Sequence, residues 1–165
     1  MAPSATDRRA FGRLFERYAK MVHGVLLARV PKADADDLVQ EVFITAMQRL
    51  ETLRDEASMG GWLAAIARNR AIDFVRGRPQ LVPLPETLEV VDPRRAEVSQ
   101  VLALIRSLPE AYREPLALRL VEGLTGPEIA EQVGLTPESV RVNLCRGMKL
   151  LRERMGLSAQ PGEDV

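Results

Sequence analysis

Apolar residues recur at three- and four-residue steps along most of the chain, the spacing that gathers them on one side of a helix. Phe11, Leu14, Phe15, Tyr18, Val22, Val25 and Leu26 make the first such stripe, and Pro31 is expected to stop it. A second helix is expected after Asp34, carrying Leu38, Val39, Val42, Phe43, Met47 and Leu50 on one face. The polar segment 51–58 reads as a loop. Gly60-Gly61 then opens a third helix from Trp62 to Val75, which Gly77-Arg78-Pro79 should end.

The pattern breaks from Pro79 to Pro93, where four prolines (79, 83, 85 and 93) interrupt any helical period. We read residues 79–95 as a flexible, extended linker. Helical spacing resumes with Val98, Val101, Leu102, Ile105 and Leu108. A further helix is expected from Pro109 to Glu122, with Gly123 as its stop and Pro115 bending it or costing a hydrogen bond.

Thr125-Gly-Pro-Glu128 has the spacing of a capping box, in which Thr caps the helix and Glu reaches back to the Thr amide. A short helix follows, with Ile129, Ala130 and Val133 facing inward. Gly134-Leu135 makes a tight turn, and Thr136-Pro137 caps a last helix with proline at its first position. This is the spacing of a helix-turn-helix. The expected fold is therefore all-α. Residues 1–78 and 96–156 form two small helical domains, and the tail 157–165 is expected to fray.

At 100° per residue, Val140, Leu144, Met148 and Leu151 share one side of the last helix and should be buried. Glu138, Arg141, Val142, Cys145, Arg146 and Lys149 lie opposite. A basic outer face on the second helix of a helix-turn-helix suits the major groove of DNA. Because this face holds cations at helical spacing, the alternative is a merely solvated surface.

Charge sharpens the division. Across all 165 residues, 23 Lys and Arg balance 23 Asp and Glu. Yet segment 60–78 carries Arg68, Arg70, Arg76 and Arg78 against Asp73 alone. Segment 137–154 is also basic, whereas Asp34, Asp36, Asp37 and Glu41 cluster at the start of the second helix. Two basic patches on separate halves point to two contacts with one duplex. A chain of zero net charge should bind free DNA weakly, so a partner meeting the acidic helix is expected to supply affinity. One Cys (Cys145) and one His (His23) leave no internal disulfide and argue against a zinc site. No nucleophile accompanies the carboxylates, and we expect no catalytic residue, metal or cofactor. His23 reads as a surface or structural residue. The absence of a long apolar run or an apolar leader points to a cytoplasmic protein without membrane insertion.

Two groups of motifs carry a resemblance. Asp36-Asp-Leu-Val-Gln-Glu-Val-Phe43 with Gly61-Trp-Leu-Ala-Ala-Ile-Ala-Arg-Asn-Arg-Ala-Ile-Asp-Phe-Val-Arg76 resembles region 2 of bacterial extracytoplasmic-function (ECF) sigma factors of the sigma-70 family. Leu108-Pro-Glu-Ala-Tyr-Arg-Glu-Pro-Leu116, Glu122-Gly-Leu-Thr125 and Glu128-Ile-Ala-Glu131, followed by Ser139-Val-Arg141 and Arg146-Gly147, resemble region 4.

The resemblance implies a subunit that binds core RNA polymerase and directs initiation at −10 and −35 promoter elements. Asp37, Leu38, Gln40, Glu41 and Phe43 would dock on the β′ clamp helices, and the second half would meet the β flap. Leu53, Arg54, Arg68, Asn69, Arg70 and Arg76 would serve the −10 element, captured as a splayed single strand. Trp62 would be core or a stacking platform. Ser139, Arg141, Val142, Cys145, Arg146 and Lys149 would read the −35 element. Val142 and Cys145 cannot make strong hydrogen bonds to base edges, so thymine methyl contact or DNA shape must act there. An anti-sigma factor is a further implied partner. The competing reading is a helix-turn-helix regulator that binds an operator without polymerase, which would have no use for segment 36–76.

Linker reach offers a separate check. Residues 79–95, fully extended at about 3.3 Å each, span roughly 55 Å. That is on the order of 16 base pairs of B-DNA at about 3.4 Å each.

Overall fold

The computed structural model describes residues 4–77 and 93–157, without side chains at 93–96. Most of the expected linker and the tail beyond Leu157 lie outside the described residues. Every regular element among the described residues is helical: α1 (Ala5–Leu27), α2 (Lys32–Gln48), α3 (Met59–Gly77), α4 (Pro93–Ser107), α5 (Glu110–Leu120), α6 (Gly126–Val133) and α7 (Pro137–Arg154). Short 3-10 turns at Leu50–Thr52 and Glu56–Ser58 punctuate the loop between α2 and α3.

Several helix ends depart from the sequence expectation by a turn. Ser4 and Asp7 form a reciprocal capping box at the start of α1, a signal the apolar stripe does not carry. α1 stops at Leu27, ahead of Pro31, and Pro31 instead caps α2. The diglycine lies inside the first turn of α3 rather than before it. α4 begins at Pro93, a proline at a helix start, so residues 93–95 are helical and not linker. α5 runs through Pro115 and ends at Leu120; beyond it, Leu124 N–H donates to Leu118 O at 3.0 Å.

The helix-turn-helix forms as its sequence dictates. Thr125 Oγ1 accepts from Glu128 N–H at 3.3 Å, and the Glu128 carboxylate accepts from Thr125 N–H at 2.7 Å. The bond from Thr125 N–H, and after it the Thr125 hydroxyl, holds the Glu128 carboxyl below its ordinary value. Gly134 takes φ +74°, a left-handed conformation that a side chain would strain, and its N–H closes on Ala130 O at 3.1 Å.

α1 lies across α2, α3 and α5, while α3 rests on α6. One apolar core therefore runs from Tyr18, Met21, Val22, Val25 and Leu26 of α1 through Phe43 and Leu63 to Leu116, Leu118 and Ile129. The sequence predicted two tethered modules; the described residues pack them against each other.

Candidate nucleic-acid and polymerase interfaces

α7 turns Val140, Gly147 and Leu151 into the core. Leu144 and Met148, expected to be buried, are half-buried against it. The opposite side carries Ser139, Arg141, Cys145, Arg146 and Lys149, all exposed, with Val142 half-buried among them. Arg141, Arg146 and Lys149 have no ion-pair partner among the described residues. Ser139 is engaged locally: Thr136 Oγ1 lies 2.8 Å from its hydroxyl and accepts from its N–H at 3.2 Å. The helix thus offers a row of free cations at successive turns, flanked by a small thiol and a valine. Such a surface can neutralise phosphates and reach base edges.

The cations of the other half are differently disposed. Arg54, Asn69 and Arg76 are exposed on the loop and α3. Arg68 is half-buried and lies flat on Glu114 of α5, Nε to Oε1 at 2.6 Å and an Nη to Oε2 at 3.0 Å. Arg29, two residues beyond α1, holds the same carboxylate at 2.6 Å and reaches Glu110 at 3.2 Å. Arg70 Nε donates to Glu41 of α2 at 2.6 Å. Two residues that the sequence assigned to different partners, DNA and polymerase, therefore neutralise each other.

Between the loop and α3 lies a cleft of about 560 Å³ lined by Thr52, Leu53, Arg54, Ala57, Ser58, Gly61 and Trp62. Leu53 and Trp62 are half-buried, so Trp62 both packs on the core and borders the cleft. The remaining wall is Gly134, the turn of the helix-turn-helix.

The acidic helix presents Asp37, Gln40 and Glu41 to solvent. Leu38 and Phe43 do not join them, being only 3% and 1% exposed. Phe43 packs edge-on to Phe11, ring centroids 6.0 Å apart, and also against Phe15. The apolar stripe of α2 already placed both residues inward, and burial removes them from any docking surface in this arrangement. His23, read as structural, bridges Asp36 of α2 at 2.7 Å and Glu122 beyond α5. Chiefly through Glu122, those carboxylates raise its pKa above the ordinary 6.5 against the opposing effect of burial.

Arg29, Glu114 and Glu122 went unnoticed as partners in the sequence. One signal was present: Glu114 lies four residues before Leu118, on the face that α5 buries. A carboxylate there requires a cation. Which cation answers depends on segments 46 and 85 residues away.

Among the described residues no helix is long and apolar enough to cross a membrane. Comparison with known proteins agrees with the geometry. Family profiles described as "Sigma-70 region 2" and "Sigma-70, region 4" match residues 14–79 and 99–151. RNA polymerase sigma factor SigZ of Bacillus subtilis is 34% identical over 72% of this chain and 70% of its own length. The ECF RNA polymerase sigma-E factor of Haemophilus influenzae is 29% identical over 90% of this chain and 89% of its own. Among solved structures, CnrH in complex with the cytosolic domain of CnrY superposes with a TM-score of 0.63 at 25% identity, covering 92% of this chain and 91% of CnrH. The sigma factor RpoE from Bartonella quintana, at 16% identity and TM-score 0.56 over 90% of this chain and 97% of its own, shares the fold. Both regions in one chain favour an initiation factor over an operator-binding regulator: the chain belongs to the ECF sigma factors of the sigma-70 family.

Proposed function

We propose a division of promoter work between the two halves. Residues 96–156 read the −35 element, with α7 in the major groove. Arg141 and Arg146 face base edges, Val142 and Cys145 supply apolar or shape contact, Lys149 meets phosphate, and Ser139 anchors the helix start. Residues 1–78 capture the −10 element in the cleft beside Leu53 and Trp62. Arg54, Asn69 and Arg76 are available to the strand at once. Arg68 and Arg70 become available when their carboxylate partners release them.

Asp37 and Gln40 form the exposed ridge that docks on the β′ clamp helices, joined by Glu41 once Arg70 leaves it. The second half meets the β flap, and the work is cytoplasmic and non-catalytic. CnrH is in complex with the cytosolic domain of CnrY, which supports an anti-sigma protein partner for this chain.

The observation that carries the reading is the row of cations on α7 that have no acidic partner among the described residues. In vitro transcription with core enzyme over genomic fragments tests it. Specific transcripts are expected from the wild type, while Asp37→Lys with Gln40→Ala should lower core affinity and leave helix content intact. An operator footprint without core, and no transcript with it, would overturn the reading.

A further inference from the structure

The two halves meet along a seam built for contact. At Gly60 of α3, an added Cβ would lie 2.0 Å from the backbone oxygen of Gln132 in α6, closer than any side chain permits. Gly134 brings the helix-turn-helix turn against Gly61, and Glu114 of α5 is gripped from the other half by Arg29 and Arg68 together. Arg17 of α1 pairs with Glu131 of α6 at 2.8 Å, and His23 reaches Glu122. Every one of these contacts joins residues 4–77 to residues 93–157.

Their effect on the two DNA surfaces is unequal. Arg68 is withdrawn from the −10 surface, and Gly134 walls the cleft beside Trp62. Arg141, Cys145, Arg146 and Lys149 stay exposed. The closed chain also holds its halves in contact, whereas residues 79–92, which lie ahead of α4, would at full extension of about 3.3 Å each let them part by roughly 46 Å.

We infer that the packing of residues 93–157 on α1 and α3 is an autoinhibitory latch, with Glu114 as its catch, that masks the −10 surface while leaving the −35 helix open. This rests on the assignment of α3 and its loop to the −10 element. The catch is electrostatic: a single buried carboxylate bridges two guanidiniums, so losing its charge sets Arg29 and Arg68 against each other. A competitor for Arg68, whether a DNA backbone or another acid, acts by replacing Glu114. Apparent −10 affinity then scales with the open fraction, so an open population of about one in ten conceals about tenfold in affinity.

The test uses the full chain and two substitutions. Glu114→Gln keeps the shape and removes the charge. Gly60→Ala wedges the seam, yet it favours the α3 helix once the halves part. Small-angle scattering should give the wild type a radius of gyration of about 15 Å, as for a compact chain of this length. Both variants should be larger by several Å, with helical circular dichroism unchanged. Both should also bind a fluorescent mixed-sequence twelve-nucleotide single strand about five- to tenfold more tightly at low salt, while affinity for random duplex DNA moves less than twofold.

An extended wild type, or two folded variants as compact as it, would overturn the latch. Larger variants with unchanged single-strand affinity would overturn the masking. If Glu114→Gln loses helix content, Gly60→Ala decides alone. Failure of an opened variant to start transcription with core enzyme would count against the promoter assignment and leave the latch standing.

Discussion

The two halves keep their arginines in opposite conditions. On α7, Arg141 and Arg146 stand in solvent without acidic partners among the described residues, whereas Arg68 and Arg70 on α3 are spent on Glu114 and Glu41. Equal basic charge in the two segments thus means different readiness. A surface that reads duplex DNA can stand exposed, because the duplex presents its phosphates and groove edges without prior melting. A surface that captures an unstacked strand is useful only after unstacking has cost a few kcal/mol. Under the proposed division of work, neutralising the α3 surface until then suppresses non-specific binding by a chain whose net charge is zero.

Arg29→Ala should break this asymmetry most strongly. Removing one partner of a buried ion pair costs about 3–5 kcal/mol, and the lower end applies because Arg68 still faces Glu114. In calorimetry a single melting transition should separate into two; one unchanged transition would show that the halves are not coupled through Glu114. On the other half, Arg146→Ala should cost about 1–3 kcal/mol of promoter affinity, concentrated at one −35 position, without moving the melting temperature. An equal loss on every −35 sequence would make Arg146 a phosphate contact.

Thr125→Ala removes the α6 cap and should lower stability by about 1 kcal/mol, or roughly 2–4 °C in melting temperature. If Tm stays in place, the reciprocal Thr125–Glu128 bonds contribute nothing net.

The smallest effect is the pH dependence of His23. Its pKa is raised in the packed chain, so its contribution to closure is complete below about pH 6.5 and fades as pH rises through the raised value. Wild type should therefore loosen between neutral and alkaline pH by scattering, while His23→Asn should show no such step. A step retained in the variant would assign the titration to another group.

Much of this molecule could be read from its sequence because much of it is local. The capping box at Thr125, the glycine turn at 134 and the outward row on α7 follow from interactions within a few residues. The resemblance to region 2 placed Leu38 and Phe43 at a docking surface, while their own periodicity put them in the core. The structure sides with periodicity, since α1 covers that face with Phe11 and Phe15. Helix ends slipped by a turn where capping chemistry outweighed the apolar stripe, as at Ser4 and Pro93.

By itself the sequence determined the helices, their inward stripes, the helix-turn-helix and the outward cationic row of α7, because hydrophobic period and capping act over one or two turns. Only the tertiary structure decided that the two halves share a core, that Glu114 answers both Arg29 and Arg68, and that Glu41 takes Arg70. A charge announces its need for a partner in the sequence, but the partner is chosen by which helices come to lie side by side.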